Sequence, residues 1–270
     1  MKEIKFQDQE TTDSMQVNSP EDAEIIIQKL PSDMGIHRNP RKGTLNAPDE
    51  ILERFEPEEK VLVDEVFPDE FDLEETHDRI YSNTEELSQY NRPIISVGGD
   101  HSVSFPVIRA LKEEDPEMEL VWLDAHLDLK EKVDGHVSHD VVVRELLNSG
   151  FEEDEITFVG ITRVDEDEQV FLEDHSLEVY RADDVSEFLE EYESRDSAYL
   201  SVDIDVLSKE EAPGTGYPDG QLSVTQAQKI IEEVDPDHAD LVEVAPPFDE
   251  DRRTVENARK ILSGLIRVVH

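Results

Sequence analysis

Eight short runs of consecutive apolar residues constrain this chain more than any other feature: 24–28, 61–66, 94–97, 120–123, 156–160, 177–180, 198–204 and 241–244. A strand with one face in water alternates apolar and polar side chains. Continuous apolarity at strand length is what a parallel sheet covered on both faces requires. Between several of these runs lie amphipathic stretches at helical spacing, at 105–112, 141–147, 185–192, 224–234 and 254–269. Strand and helix alternate, which predicts an α/β fold, a three-layer sandwich around a mainly parallel eight-stranded sheet.

No internal repeat and no linker rich in Pro, Gly or Ser divides the chain, so residues 21–270 read as one domain behind a loose N-terminal arm, 1–20. The most evident loop is 213–220, punctuated by Gly and Pro. The 270 residues carry 25 Lys+Arg against 69 Asp+Glu, a formal net charge of −44. A chain of this length buries a substantial core, so the acid excess must sit mostly on the surface. Such a surface repels phosphate backbones and anionic membrane leaflets, which argues against nucleic-acid and membrane partners. The absence of cysteine rules out disulfides, thiolate metal sites and a thiol nucleophile.

No stretch approaches the ~18 apolar residues of a membrane span, and Met1 to Glu10 is polar, so a cytoplasmic protein is expected. The acids run from Glu21 to Asp251 without forming a tail. That spread points to a halophilic organism: at ~1 M salt the Debye length is only ~3 Å, so the self-repulsion of such a coat is screened.

In open parallel sheets, ligands gather at the carboxyl ends of the strands. The run ending at Val97 leads into Gly98-Gly99-Asp100-His101-Ser102, where two glycines permit a tight turn that aims His101 across the sheet end. The run 120–123 leads into Asp124-Ala125-His126-Leu127-Asp128; extended backbone would put Asp124, His126 and Asp128 on one side. Three ionisable groups there, directly after Val121-Trp122-Leu123, are costly to bury without a partner. The run 198–204 contributes Asp203 and Asp205, again at i and i+2. A solvated, hydrogen-bonded cluster is the alternative in a chain this acidic. Together the candidates are four aspartates and two histidines, a hard-donor set that suits Mn²⁺ first, then Fe²⁺, Co²⁺, Ni²⁺ or Zn²⁺. Four carboxylates balance two divalent cations, whereas one cation would leave buried negative charge.

These segments, in this order and with Ser138-His139, Pro213-Gly214-Thr215-Gly216 and Val242-Glu243-Val244-Ala245-Pro246, resemble the ureohydrolases, the manganese enzymes that include arginase, agmatinase and formimidoylglutamase. The match spans roughly 94–247, and the N-terminal part matches only loosely, through Gly43 to Pro48. The resemblance implies two Mn²⁺ per chain. One would be held by His101, Asp124, Asp128 and Asp203, the other by Asp124, His126, Asp203 and Asp205, with Asp124 and Asp203 bridging. It also implies that Glu243 grips the substrate guanidinium, that His139 is the proton shuttle, and that His139, Asp205 and Glu243 are catalytic. His136, three residues from His139, could take the shuttle role instead.

Within the family the segment 129–135 lacks the Asn- and Ser/Thr-bearing loop with which arginases hold an α-carboxylate, and Glu131 or Asp134 would suit an ammonium. Lys130 and Lys132 could receive a carboxylate. The motif 124–130 followed by Ser138-His139 looks most like archaeal agmatinases, so the expected reaction is agmatine to putrescine and urea. Arginase, formimidoylglutamase and hydrolases of other guanidino or aminopropyl-agmatine substrates are the alternatives, and the resemblance implies a homotrimer or homohexamer. Deacetylase-like enzymes share the architecture but hold one zinc through an Asp-x-His pair; six ligand candidates speak against that reading.

Overall fold

The structure, a computed structural model, describes residues 15–36, 39–193, 195 and 197–270. Its frame is a nine-stranded sheet: β1 (Gln16–Val17), β2 (Ile25–Leu30), β3 (Val61–Glu65), β4 (Ile94–Gly98), β5 (Glu119–Leu123), β6 (Ile156–Ile161), β7 (Glu178–Arg181), β8 (Ala198–Asp203) and β9 (His238–Val242). The order across the sheet is β1-β3-β2-β4-β9-β8-β5-β6-β7, and every pairing between strands is parallel.

Each of the eight apolar runs forms a strand, although β9 begins three residues before its run and ends ahead of Glu243. The expected count of eight is corrected to nine by β1, which pairs with β3 at the sheet edge. Two residues, Gln16 and Val17, are too few to show an apolar pattern. They fall within the segment read as a loose arm, of which residues 1–14 lie outside the described residues.

Successive residues of the inner strands enter two different cores, which is why the runs are apolar without alternation. Ile25, Ile27, Ile95, Val97, Val121, Leu123, Leu200 and Val202 join one cluster. Ile26, Leu30, Ile94, Leu120, Trp122 and Tyr199 join the other. The first cluster is roofed by α1 (Ala47–Leu52), α6 (Val185–Glu191), α7 (Val224–Val234) and α8 (Arg253–Val268). The second is roofed by α2 (Leu73–Ser88), α3 (Ser104–Glu114) and α4 (Val142–Ser149), with Phe171 and Leu172 of α5 (Glu166–Asp174) packed against it. This is the three-layer sandwich.

Helices α1, α2 and α5 have no counterpart among the expected elements. The buried face of α2 is made by Leu73, Thr76, His77, Ile80, Thr84 and Leu87, so half of its stripe is not aliphatic and the helical period is muted. Its start is nonetheless marked by Asp72, whose carboxylate accepts hydrogen bonds from the Glu74 and Glu75 N–H groups. Among the described residues no helix is long and apolar enough to cross a membrane.

The strand order determines where a site forms. After β4 the chain passes over β9 and β8 to reach β5, and those two strands are inserted later. The carboxyl ends of β4, β9, β8 and β5 therefore lie side by side where the order switches, the place where open α/β sheets hold ligands.

Candidate metal centre and its cleft

Four neighbouring strand ends deliver the site. At the end of β4, the Gly99 backbone passes so close to Ser32 that a Cβ would lie 1.7 Å from the Ser32 carbonyl oxygen, and only glycine fits. The next residue, Asp100, caps the single 3-10 turn His101–Val103 by accepting from the Ser102 N–H (3.0 Å), and its other oxygen accepts from the Gly35 N–H (3.0 Å). That turn points the His101 ring over the strand ends.

Beyond β5 the expected extended backbone is absent. The chain bends directly after Leu123, and Asp128 takes a left-handed conformation with φ 50°. Asp124, His126 and Asp128 do converge, but through this bend. The bend is tied by the Asp124 carboxylate, which accepts from the His126 N–H at 2.7 Å. At the end of β8, Asp203 accepts from the Asp205 N–H at 2.6 Å and so caps the 3-10 turn Ile204–Val206. Just past β9, Glu243 is left-handed at φ 63°; its N–H donates to the Gly99 carbonyl (2.8 Å) and its Oε1 accepts from the His101 N–H (2.9 Å). Asp128 and Glu243 thus both take the left-handed conformation at one cleft, as six other non-glycine residues do elsewhere among the described residues.

Two donor groups result, His101–Asp124–Asp203 and Asp124–His126–Asp205, in each of which the donor atoms lie within 4.8 Å of one another. Asp124 belongs to both. Its Oδ2 lies 3.1 Å from His101 Nδ1, and its Oδ1 lies 3.3 Å from His126 Nδ1. His101 Nδ1 is also 3.2 Å from Asp203 Oδ2 and 3.5 Å from Asp128 Oδ2, while His126 Nδ1 is 3.1 Å from Asp205 Oδ2. Two donors each about 2.1 Å from one first-row cation, and at right angles, lie about 3 Å apart, which is the spacing seen here. His101 Nδ1 and Asp124 Oδ2 are buried and face each other without the alignment of a hydrogen bond. Of the six expected ligands, Asp203 joins only the first donor group, its other oxygen being engaged by the Asp205 N–H, and Asp128 joins neither group, approaching the first no closer than 3.5 Å from His101 Nδ1.

The electrostatics describe a cluster short of positive charge. Burial, reinforced by the charges of Asp205 and Asp124, pushes Asp203 well above the usual carboxylate range. Burial and the Asp124 charge do the same to Asp128. Asp205 rises to about 6, chiefly through burial. Burial opposes a charge on His101, yet the Asp124 and Asp203 carboxylates close to its Nδ1 prevail and raise it well above the ordinary imidazole value. Divalent cations among these oxygens and imidazoles would relieve the strain, so the donor set fits them in number, hardness and charge.

The cleft above is lined by His101, His126, Asp128 and Asp203 at its floor and by His139, Tyr217, Lys130, Asp140, Arg163, Asp165 and Glu168 higher up. His139 Nδ1 lies 3.6 Å from Glu243 Oε1, and its ring faces that of Tyr217 nearly parallel, 6.0 Å between centroids. His136 is exposed and does not line the cleft. Glu243 is buried, and that burial, with the charge of Asp100, pushes its carboxyl up to about 8. Glu131 and Asp134, expected to face a substrate ammonium, are exposed and outside the cleft lining; the acids at the mouth are Asp140 and Asp165 instead. Lys130 pairs with Asp165 at 2.9 Å and Arg163 with Asp165 at 3.0 Å, so a chain of ion pairs runs along the rim. Sequence reasoning did not single out Tyr217 or Asp165, although Tyr217 lies in the loop 213–220 that its Gly and Pro punctuation had marked.

Comparison with known proteins gives the family of the chain. Over 270 aligned residues the chain is 27% identical to an agmatinase from Bacillus subtilis (strain 168), covering 91% of this chain and 92% of the relative. It is 27% identical over 249 residues to an arginase from Staphylococcus aureus (strain COL), covering 80% of each. The crystal structure of agmatine ureohydrolase of Thermoplasma volcanium superposes with a TM-score of 0.79 at 25% identity, covering 93% of this chain and 91% of that one. Residues 23–267 match the model of the arginase family, and with nearly the whole described fold inside that match, the chain belongs to the arginase family of hydrolases.

Proposed function

We propose that this chain hydrolyses a guanidino compound to urea and a primary amine at a pair of Mn²⁺ ions, and that its substrate is agmatine, which gives putrescine. The observation that carries the reading is Asp124, whose two oxygens face two different imidazoles, His101 and His126, on the cleft floor. His101, Asp124, Asp128 and Asp203 would hold one ion, and Asp124, His126, Asp203 and Asp205 the other. A bound pair of divalent cations supplies water activated near neutral pH.

The protein's own groups account for the rest. Glu243, buried beside His139, offers a planar carboxyl group that an arriving guanidinium would hold in its ionised form, a match for paired charge-assisted hydrogen bonds that hold the carbon over the floor. An oxygen–carbon bond forms there and the bond from that carbon to the alkyl nitrogen breaks. The departing nitrogen needs a proton, and His139 on the cleft wall is placed to pass one. Tyr217 keeps that ring in place by facing it.

An ammonium tail suits a mouth where Asp140, Asp165 and Glu168 outnumber Lys130 and Arg163. A second reading, a guanidino acid, is favoured by the Lys130 ammonium at the same rim. Urea release from Mn²⁺-loaded protein in molar KCl, across agmatine, arginine and guanidino acids of graded length, tests both. Agmatine should give the highest kcat/KM by at least tenfold. A guanidino acid in first place would overturn agmatine, and no urea from any compound would overturn the reaction. Homotrimers or homohexamers in a halophilic cytoplasm belong to the same proposal, and a monomer in sedimentation would remove the assembly.

A further inference from the structure

Behind the first donor group lies a buried polar chain that the reaction does not use. Asp240, in the middle of β9, and Ser201, on the adjacent β8, are both completely buried. The Asp240 carboxylate receives three hydrogen bonds. The Tyr199 hydroxyl donates to Oδ2 at 2.8 Å, and the Ser201 hydroxyl (2.8 Å) and the Val202 N–H (3.2 Å) donate to Oδ1. Ser201 Oγ also lies 2.8 Å from His101 Nε2.

A hydroxyl has one proton, and a carboxylate only accepts. With the Ser201 proton directed to Asp240, its oxygen is left to accept from His101, so in the neutral ring that a cation requires the proton stays on Nε2 and the lone pair is on Nδ1. Nδ1 is the atom that faces Asp124, Asp203 and Asp128. The ring plane is fixed as well, because the indole of Trp122 stacks on it at 4.0 Å between centroids and 5° between planes. The other imidazole has no such support: His126 Nε2 makes no hydrogen bond, and the carboxylate of Asp219 is 3.7 Å away.

We propose that Asp240 is a positioning residue that, through Ser201, sets the tautomer and orientation of His101 and so makes one of the two metal positions a competent ligand set. The proposal rests on the metal reading given above and adds a residue to it. The Asp240→Asn change keeps the shape but replaces the charged acceptor by a neutral amide; its oxygen, held by the Val202 N–H, takes the Ser201 proton far less strongly, so that proton is free to turn to His101 Nε2 and the tautomer is no longer set. The Ser201→Ala change removes the relay. Tyr199→Phe removes a different hydrogen bond to the same carboxylate and leaves the relay whole.

The experiment is a Mn²⁺ titration of chelator-treated protein in molar KCl, with free Mn²⁺ read by electron paramagnetic resonance and thermal stability recorded in parallel. Outer partners of metal-binding histidines typically contribute about 10- to 100-fold in affinity. Wild type should bind two equivalents, and Asp240→Asn and Ser201→Ala should each weaken one of them by at least about tenfold while leaving the other. Tyr199→Phe should lose stability but keep both affinities within about threefold. Wild-type affinity at both positions in Asp240→Asn and Ser201→Ala overturns the relay, as does an equal loss in Tyr199→Phe, which would mean that the network is merely structural. Should Asp240→Asn fail to fold, Ser201→Ala decides. A wild type that takes up no Mn²⁺ overturns the metal reading itself, a result that cannot be confused with failure of the relay.

Discussion

His238 provides a sharp test of how this sheet is held together at the end away from the cleft. It opens β9, and its Nδ1 accepts a hydrogen bond from the N–H of Ile94, the first residue of β4, at 3.0 Å. Accepting at Nδ1 requires the neutral ring. Burial, partly offset by Asp237 and Asp115, lowers its pKa from 6.5 to about 4. Between those values the unfolded chain binds a proton that the folded one refuses, so stability falls as pH drops through 6.5 and the loss is complete below about 4. A gap of about 2.5 units is worth roughly 3 kcal/mol in full, and about 2 kcal/mol is already lost on going from pH 7 to pH 4.5. Asn can keep an acceptor near the Ile94 N–H and does not titrate. Urea unfolding of wild type and His238→Asn at one fixed high KCl concentration, from pH 7 to 4.5, isolates the term, since other titrating groups cancel in the difference. Wild type should lose about 2 kcal/mol more than the variant. Parallel stability curves would refute the assignment of a neutral, accepting His238.

Other consequences follow from particular contacts. Gly99→Ala places a methyl carbon 1.7 Å from the Ser32 carbonyl, so the variant should fail to fold or lose more than about 3 kcal/mol in urea titration. His139→Ala should lower kcat about 10²- to 10⁴-fold, whereas His136→Ala, on an exposed residue outside the cleft, should stay within about twofold; equal effects would remove His139 from the proton step. In dilute buffer the acidic coat, which takes up most of the 69 Asp and Glu, should unfold the chain even with Mn²⁺ present, as followed by circular dichroism, and full stability at 0.1 M salt would refute the halophilic reading.

What could be read from the residues divides along physical lines. Strands covered on both faces leave unbroken apolar runs, and eight of nine were visible for that reason; β1, with two residues, had no room for a pattern. Helix α7 matches its expected span because Val224, Ala227, Ile230, Ile231 and Val234 recur at helical spacing behind the Ser223–Gln226 capping box. Helix α2 went unread because threonines and a histidine fill half of its buried face.

At the site, the ligand types and their proximity were legible, but the route was not. Asp128 reaches the cluster through a left-handed residue, and spacing alone cannot reveal that. The chain of ion pairs through Lys130, Asp165 and Arg163 is set by loops after different strands, so no short motif announces it. Asp240 looked like one more acid among 69, and only its burial beneath Ser201 sets it apart.

The central claim is that Asp124 joins two metal positions. The direct measurement is bound Mn²⁺ per chain, by elemental analysis after equilibration and removal of free metal, in wild type and in Asp124→Asn. The account predicts two per wild-type chain and at most one in the variant, with urea release lost. Two tightly bound ions and undiminished urea release in Asp124→Asn would contradict it.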